Sequence, residues 1–343
     1  MTHKTKKIIT LSLLSLAALL VVTGGVIGYW VFAPMFPKGG VKYLYIRPGD
    51  TREQIMAKID STAHPHSLTG FRLLSAVDRR ERRISGRYAI EEGDNMITLY
   101  KRLAARRQTP VKVVIPSVRT LDKLAASIAS QLMLDSTSLM NLWVSPAYLN
   151  RMDLTPETLP TLFIPNTYEF YWDTDINHFM ARILKEHKKF WKGEREKEAQ
   201  EIGLTPAEVF TLASIIDEET NNKEEKSVIA GVYMNRLHKG MLLQSCPTVK
   251  FALHDFAKQR VEGADLEVVS PYNTYLNKGL PPGPIRIPSI AAIESVLHYT
   301  RHNYLYMCAK EDFSGTHNFA ETGAQHMANA RRYRQALDKR NIK

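Results

Sequence analysis

Three consecutive carboxylates, Asp217-Glu218-Glu219, close a run whose apolar residues are spaced for a helix. Thr205-Pro206-Ala207-Glu208 supplies the start: threonine at the N-cap, proline in the first turn, glutamate three residues after the cap. At 100° per residue, Val209, Phe210, Leu212, Ala213, Ile215 and Ile216 define one apolar face. On that wheel Glu219 falls beside Leu212, Ile215 and Ile216, inside the stripe. Asp217 lies at the other edge, beside Ala213 and Phe210, and Glu218 points to solvent. A carboxylate in an apolar stripe loses hydration, which favours its neutral form, as a general acid requires. The wheel therefore selects Glu219. On this pattern alone, a structural glutamate paired with an Arg or Lys from elsewhere remains the alternative.

Polar residues gather in turn-rich segments after this helix. Ser227 to His238 reads as a second amphipathic helix carrying Asn235-Arg236 and closed by Gly240. Then come Gln244-Ser245-Cys246-Pro247-Thr248-Val249, Pro271-Tyr272-Asn273-Thr274-Tyr275, Gly279-Leu280-Pro281-Pro282-Gly283-Pro284 and Gly315-Thr316-His317-Asn318-Phe319. Loops of this composition concentrate binding residues. The candidates for substrate contact are Gln244, Thr248, Asn273, Tyr275 and His317. No metal is expected, because the histidines lack ligand spacing: His317 and His326 are nine apart.

Upstream, a strand–turn–helix pattern occurs twice. Tyr43 to Ile46 is strand-like, Arg47-Pro48-Gly49-Asp50-Thr51 turns, and Glu53 to Ile59 is helical. Tyr88-Ala89-Ile90 leads through Glu91-Glu92-Gly93-Asp94 into a helix from Met96 to Leu103. Both copies share Ile-x-x-Gly-Asp, 44 residues apart, with glycine for the turn and Asp expected as the N-cap. Such units resemble LysM modules, which bind glycans containing N-acetylglucosamine; a β-α packing unit without ligand is the plainer reading. Val113 to Pro116, then Thr120-Leu121, echoes the pattern without the glycine. Leu162 to Trp172 reads as a buried, aromatic-rich strand, and Ile176 to about Glu201 as one long charged helix.

The chain has 343 residues, 44% of them apolar and 24% charged, with a formal charge of +11. That composition excludes wholesale disorder and allows roughly two domains. Two cysteines exclude a disulfide scaffold; Cys246 and Cys308 either pair or stand as separate thiols. From Ile8 to Ala33 there are 26 residues without a charge, enough to span a bilayer, preceded by Lys4, Lys6 and Lys7 and followed by interfacial aromatics. The stretch is too long for a cleaved signal peptide. The positive-inside rule then leaves residues 1–7 in the cytoplasm, 8–33 in the membrane and residues 34–343 outside. Residues 34–40 read as a linker. The basic residues are scattered, in a cluster at Arg79, Arg80, Arg82 and Arg83 and in the tail from Arg331, and no nucleic-acid-binding motif accompanies them. They read as solvated faces or as attraction to anionic headgroups or polymer.

Taken in order, Ala213-Ser214-Ile215-Ile216-Asp217-Glu218-Glu219-Thr220, Asn235-Arg236-Leu237, Pro247-Thr248-Val249, Tyr272-Asn273-Thr274-Tyr275, Gly279-Leu280-Pro281-Pro282-Gly283 and His317-Asn318-Phe319 resemble the YceG-like family of membrane-anchored endolytic murein transglycosylases. The resemblance covers essentially the whole chain. It implies an α+β fold with a transmembrane helix, a LysM-like domain at 41–109 and a catalytic domain at 110–343. It places the catalytic acid on Glu219. The implied reaction cleaves the MurNAc–GlcNAc bond within nascent peptidoglycan strands, leaves 1,6-anhydroMurNAc ends and uses no cofactor. Peptidoglycan synthases are implied partners, and nucleic acid is not. Four positions depart from the family pattern: Cys246 stands where Asp is usual, Ser117-Val118 replaces Glu-Gly, and Asp217 replaces the first Glu. The competing readings are a non-catalytic cell-wall anchor, a muramidase using Asp217 as its second carboxylate, and a pyridoxal-phosphate lyase. The last lacks a convincing Schiff-base lysine.

Overall fold

The computed structural model describes residues 3–77, 84–258, 260–261 and 263–340. The Arg79–Arg83 cluster and the last three residues of the basic tail lie outside them. The chain is mixed helix and strand and divides into two units: residues 1–112 with 169–174, and 113–168 with 175–343.

The first unit begins with α1 (His3–Phe32), whose apolar stretch is long enough to cross a membrane. It continues through β1 (Lys42–Ile46), α2 (Arg52–Ala63), α3 (Thr69–Val77), β2 (Gly86–Ile90) and α4 (Met96–Ala104). β1 and β2, the strands of the two sequence repeats, pair antiparallel with Leu44 opposite Tyr88. Leu44, Ile46, Ile59, Tyr88, Ile90, Met96 and Leu99 form its core.

Each repeat uses its Asp differently from the expectation. The N-caps are Thr51 and Asn95. Asp50 instead accepts from the Arg47 N–H at 2.7 Å and pairs with Lys58. Asp94 accepts from the Glu91 N–H at 2.9 Å and pairs with Arg102 at 2.6 Å. In both copies, then, the carboxylate closes its own turn and locks onto a cation eight residues later. The helix amides are instead capped by the next residue, Thr51 or Asn95.

The expected linker is not a free tether either. Met35 and Phe36 are buried in this core, the Met35 N–H bonds to Asp94 O, and Asn95 holds Phe32 O at 3.1 Å. Apolar side chains beside the prolines found a core to enter, which turn composition alone does not reveal.

β3 (Val111–Val114) and β4 (Thr167–Phe170) form a two-stranded sheet. The second unit holds α5 (Leu121–Gln131), α6 (Ser136–Trp143), α7 (Pro146–Met152), α8 (Ile176–Trp191), α9 (Glu194–Glu201), α10 (Pro206–Glu219), α11 (Lys223–His238), α12 (Cys246–Ala252), α13 (Ile290–Leu297), the hairpin β5 (Tyr306–Ala309) and β6 (His317–Ala320), and α14 (Gly323–Lys339). The long charged helix is thus two, broken at Gly193, whose φ of +97° an L side chain resists. α10 starts at the expected capping box, with Thr205 and Glu208 bonded reciprocally. Every residue from Val209 to Ile216 is buried, so α10 is a core helix rather than a one-faced one. α11 buries half of its 16 residues, including Lys226 and Arg236.

Candidate active site

The three carboxylates at the end of α10 meet three different environments. Asp217 is 8% exposed and receives Lys226 Nζ at 2.5 Å, the Ser289 N–H at 2.7 Å and Ser289 Oγ at 2.9 Å. Burial pushes its carboxyl up, but the Lys226 ammonium and the Ser289 donors outweigh burial and hold it below the usual range. Glu218 does not face solvent. It is 12% exposed, takes both Arg119 Nε and Nη2 at 2.7 Å, and takes Arg286 Nη1 at 3.0 Å. The wheel missed this because the covering arginines come from distant segments.

Glu219 alone of the three has no cation within ion-pair distance among the described residues. Its Oε1 accepts from Tyr233 OH and from Ser245 Oγ, both at 2.6 Å. Oε2 accepts no hydrogen bond from the described residues, and Glu219 lines a cavity of about 370 Å³. Tyr233 stands on α11, and burial, then the Glu219 charge, raises its phenol far above the ordinary value, so it remains a donor. Ser245 is fixed from behind: its N–H donates to Thr274 Oγ1 at 3.0 Å, and its carbonyl accepts from Thr248 Oγ1 at 2.7 Å.

Of the residues expected to touch substrate, Gln244, Tyr275 and His317 line the same cavity as Glu219. Thr248 and Asn273 are fully buried and belong to the scaffold behind it. Asn273 donates to Leu266 O and Val268 O, both at 2.9 Å, and accepts from the Tyr275 N–H, which sets the Tyr275 loop. Arg236 serves both purposes. It lines the cavity while donating to Leu305 O at 2.6 Å and Leu243 O at 2.8 Å, tying α11 to two loops.

Both cysteines are free, and both line this cavity. Cys246 Sγ lies 3.2 Å from Tyr275 OH. Burial raises both thiols, so neither is a ready thiolate nucleophile. Tyr233 and Ser245, the direct supports of Glu219, were not singled out by sequence reasoning. Tyr233 sits in a helix that reads as packing, and Ser245 carries no signal beyond its place in a polar turn.

The sequence model of the YceG-like family matches residues 44–332, most of the chain. The chain belongs to the YceG-like family. It is similar to a protein named endolytic murein transglycosylase from Bacillus subtilis (strain 168), with 37% identity over 166 residues, 47% of this chain and 44% of that protein. A protein of the same name from Streptococcus pneumoniae (D39) is 33% identical over 153 residues, 42% of this chain and 27% of that one. The chain therefore spans less than half the length of these curated relatives. Among solved structures, a yceG-like protein of Listeria monocytogenes matches 84% of this chain and 98% of that chain, at 26% identity and a TM-score of 0.58. The YceG-like resemblance and the mixed α and β architecture expected from the sequence both hold.

Proposed function

We propose that this YceG-like chain is an endolytic peptidoglycan lytic transglycosylase with Glu219 as its single acid–base residue. The observation that carries the reading is that Glu219 is the one Asp or Glu lining the cavity among the described residues. Glycosidases that add water generally use two carboxylates about 5–9.5 Å apart. The candidate for a second one, Asp217, is sealed against Lys226 and Ser289 and does not line the cavity. One carboxyl suffices when the substrate supplies its own nucleophile.

In this mechanism Glu219 protonates the glycosidic oxygen between MurNAc and GlcNAc, breaking the bond at C1. As a carboxylate it then accepts the proton of the MurNAc 6-hydroxyl, whose oxygen bonds C1 to give the 1,6-anhydro end. Tyr233 and Ser245 hold Oε1, so Oε2 carries the proton both ways. Gln244, Tyr275 and His317 bind the sugars, and no cofactor takes part. α1 anchors the protein in the inner membrane with its N-terminus in the cytoplasm, so that the cavity works on nascent strands in the periplasm and ends their elongation beside peptidoglycan synthases. The β-α-α-β order of the first unit supports a LysM-like glycan-holding role.

The test is the chemistry of the new ends. Full-length protein in detergent is incubated with purified glycan strands, and the products are weighed by mass spectrometry. Anhydro ends from internal cleavage support the reading. Ends heavier by one water, about 18 Da, would make the protein a hydrolase. No cleavage at all would favour a non-catalytic anchor.

A further inference from the structure

Glu225 and His317, 92 residues apart in sequence, meet beside the Glu219 cavity. Glu225 sits in the first turn of α11, where the helix N-terminus favours a carboxylate. His317 opens β6, paired with Ala309 of β5. The His317 backbone N–H donates to Glu225 Oε1 at 2.8 Å, and its ring Nδ1 lies 3.0 Å from Oε2. The two side chains are 14% and 12% exposed. A carboxylate only accepts, so the proton in the ring contact belongs to Nδ1. Two bonds from one residue to one carboxylate fix both the rotation of the imidazole and its tautomer.

The consequence falls on the other nitrogen. When the ring carries a single proton, on Nδ1, Nε2 is a lone-pair acceptor. It has no hydrogen-bond partner among the described residues, while the ring lines the cavity with Glu219. The neighbouring Tyr275 and Tyr306 hydroxyls and the Arg236 guanidinium are donors or donor-capable groups. A sugar, whose hydroxyls and acetamido N–H must also donate, needs acceptors in such a cavity.

We propose that Glu225 is a positioning residue that locks His317 as the Nδ1–H tautomer, and that His317 Nε2 accepts a hydrogen bond from a hydroxyl or amide N–H of the amino sugar bound at Glu219. The inference deepens the transglycosylase reading and takes its ligand class from it. Glu225 touches no substrate; it acts through the ring.

The test has a spectroscopic and a kinetic arm on the full-length protein in detergent. ¹⁵N NMR of histidine-labelled wild type should show His317 protonated at Nδ1, and Glu225→Gln should lose that preference. An oligosaccharide of N-acetylglucosamine should shift the His317 Nε2 resonance in wild type. Kinetically, His317→Asn keeps an amide facing Glu225 but removes the cavity acceptor. It should raise KM about 3- to 10-fold, the worth of one neutral hydrogen bond, with less change in kcat. His317→Gln, which reaches toward the Nε2 position, should recover part of that loss. An Nε2–H tautomer in wild type, an Nε2 resonance unmoved by saturating oligosaccharide, or His317→Asn with wild-type KM would overturn the proposal. A shifted Nε2 in a wild-type protein that cuts no glycan supports this site and overturns the lyase reading alone.

Discussion

Replacing Lys226 by Met isolates the energetics that separate Asp217 from Glu219. The Lys226 and Asp217 side chains are 6% and 8% exposed, with their charges 2.5 Å apart. Removing one partner of a buried pair leaves an uncompensated charge, which costs about 3–5 kcal/mol. Asp217 keeps its two Ser289 bonds and the Arg286 guanidinium 4.0 Å away, so the lower end applies, about 3 kcal/mol. For a domain of roughly 150–250 residues each kcal/mol moves Tm by about 2–4 °C, giving a drop of about 6–12 °C. The double variant Asp217→Asn/Lys226→Met should recover much of that drop, because no lone charge remains. The pH dependence has a definite sign. The folded carboxyl is held below its unfolded value near 3.9, so its contribution is full above that value and is lost as pH falls through the folded pKa. The gap in Tm between wild type and Lys226→Met should therefore be widest near neutral pH and shrink below about pH 4. The assay is thermal unfolding of the detergent-solubilised chain followed by circular dichroism. A Lys226→Met protein melting within about 1 °C of wild type near neutral pH would refute the argument that Asp217 is a structural ion-pair partner.

Three further outcomes follow from the same geometry. Glu218→Gln, which weakens the bonds to Arg119 and Arg286, should cost about 1–3 kcal/mol in stability yet leave glycan cleavage per folded molecule unchanged, read by paired melting and turnover assays. Unfolded, unreduced protein should take up two equivalents of a thiol label, since Cys246 and Cys308 are unpaired; uptake of none would show a disulfide. Alkaline phosphatase fused after Lys343 should be active if α1 spans the membrane with its N-terminus inside; an inactive, well-expressed fusion would reverse the orientation.

What could be read in the sequence was whatever neighbouring residues determine. The Thr205–Glu208 capping box, the apolar run behind it and the repeated Ile-x-x-Gly-Asp turns all act within a few residues, and each marks a real element. The features that escaped depend on distant partners. Glu218 looked solvent-facing until Arg119 and Arg286 covered it from 99 and 68 residues away. Met35 and Phe36 read as linker because their core is built by β1, β2 and the helices that follow. Asn273 and Thr248 stood out as polar residues in loops, yet their hydrogen bonds go to backbone and scaffold hydroxyls. The wheel's choice of Glu219 agrees with its distinctive environment, although the stripe it relied on is one face of a helix buried on every side. Two hydroxyl donors and an open cavity, rather than an apolar stripe, set Glu219 apart.

Glycan cleavage by Glu219→Gln tests the central claim most directly. Gln keeps the shape of the side chain, and its carbonyl can still accept from Tyr233 and Ser245, so the fold should survive with an unchanged Tm. It cannot deliver the proton, and loss of a general acid–base group costs ~10²–10⁴ in rate. Product analysis on purified strands should find less than about 1% of wild-type cleavage. A normally folded Glu219→Gln protein that releases anhydro ends at the wild-type rate would contradict the assignment.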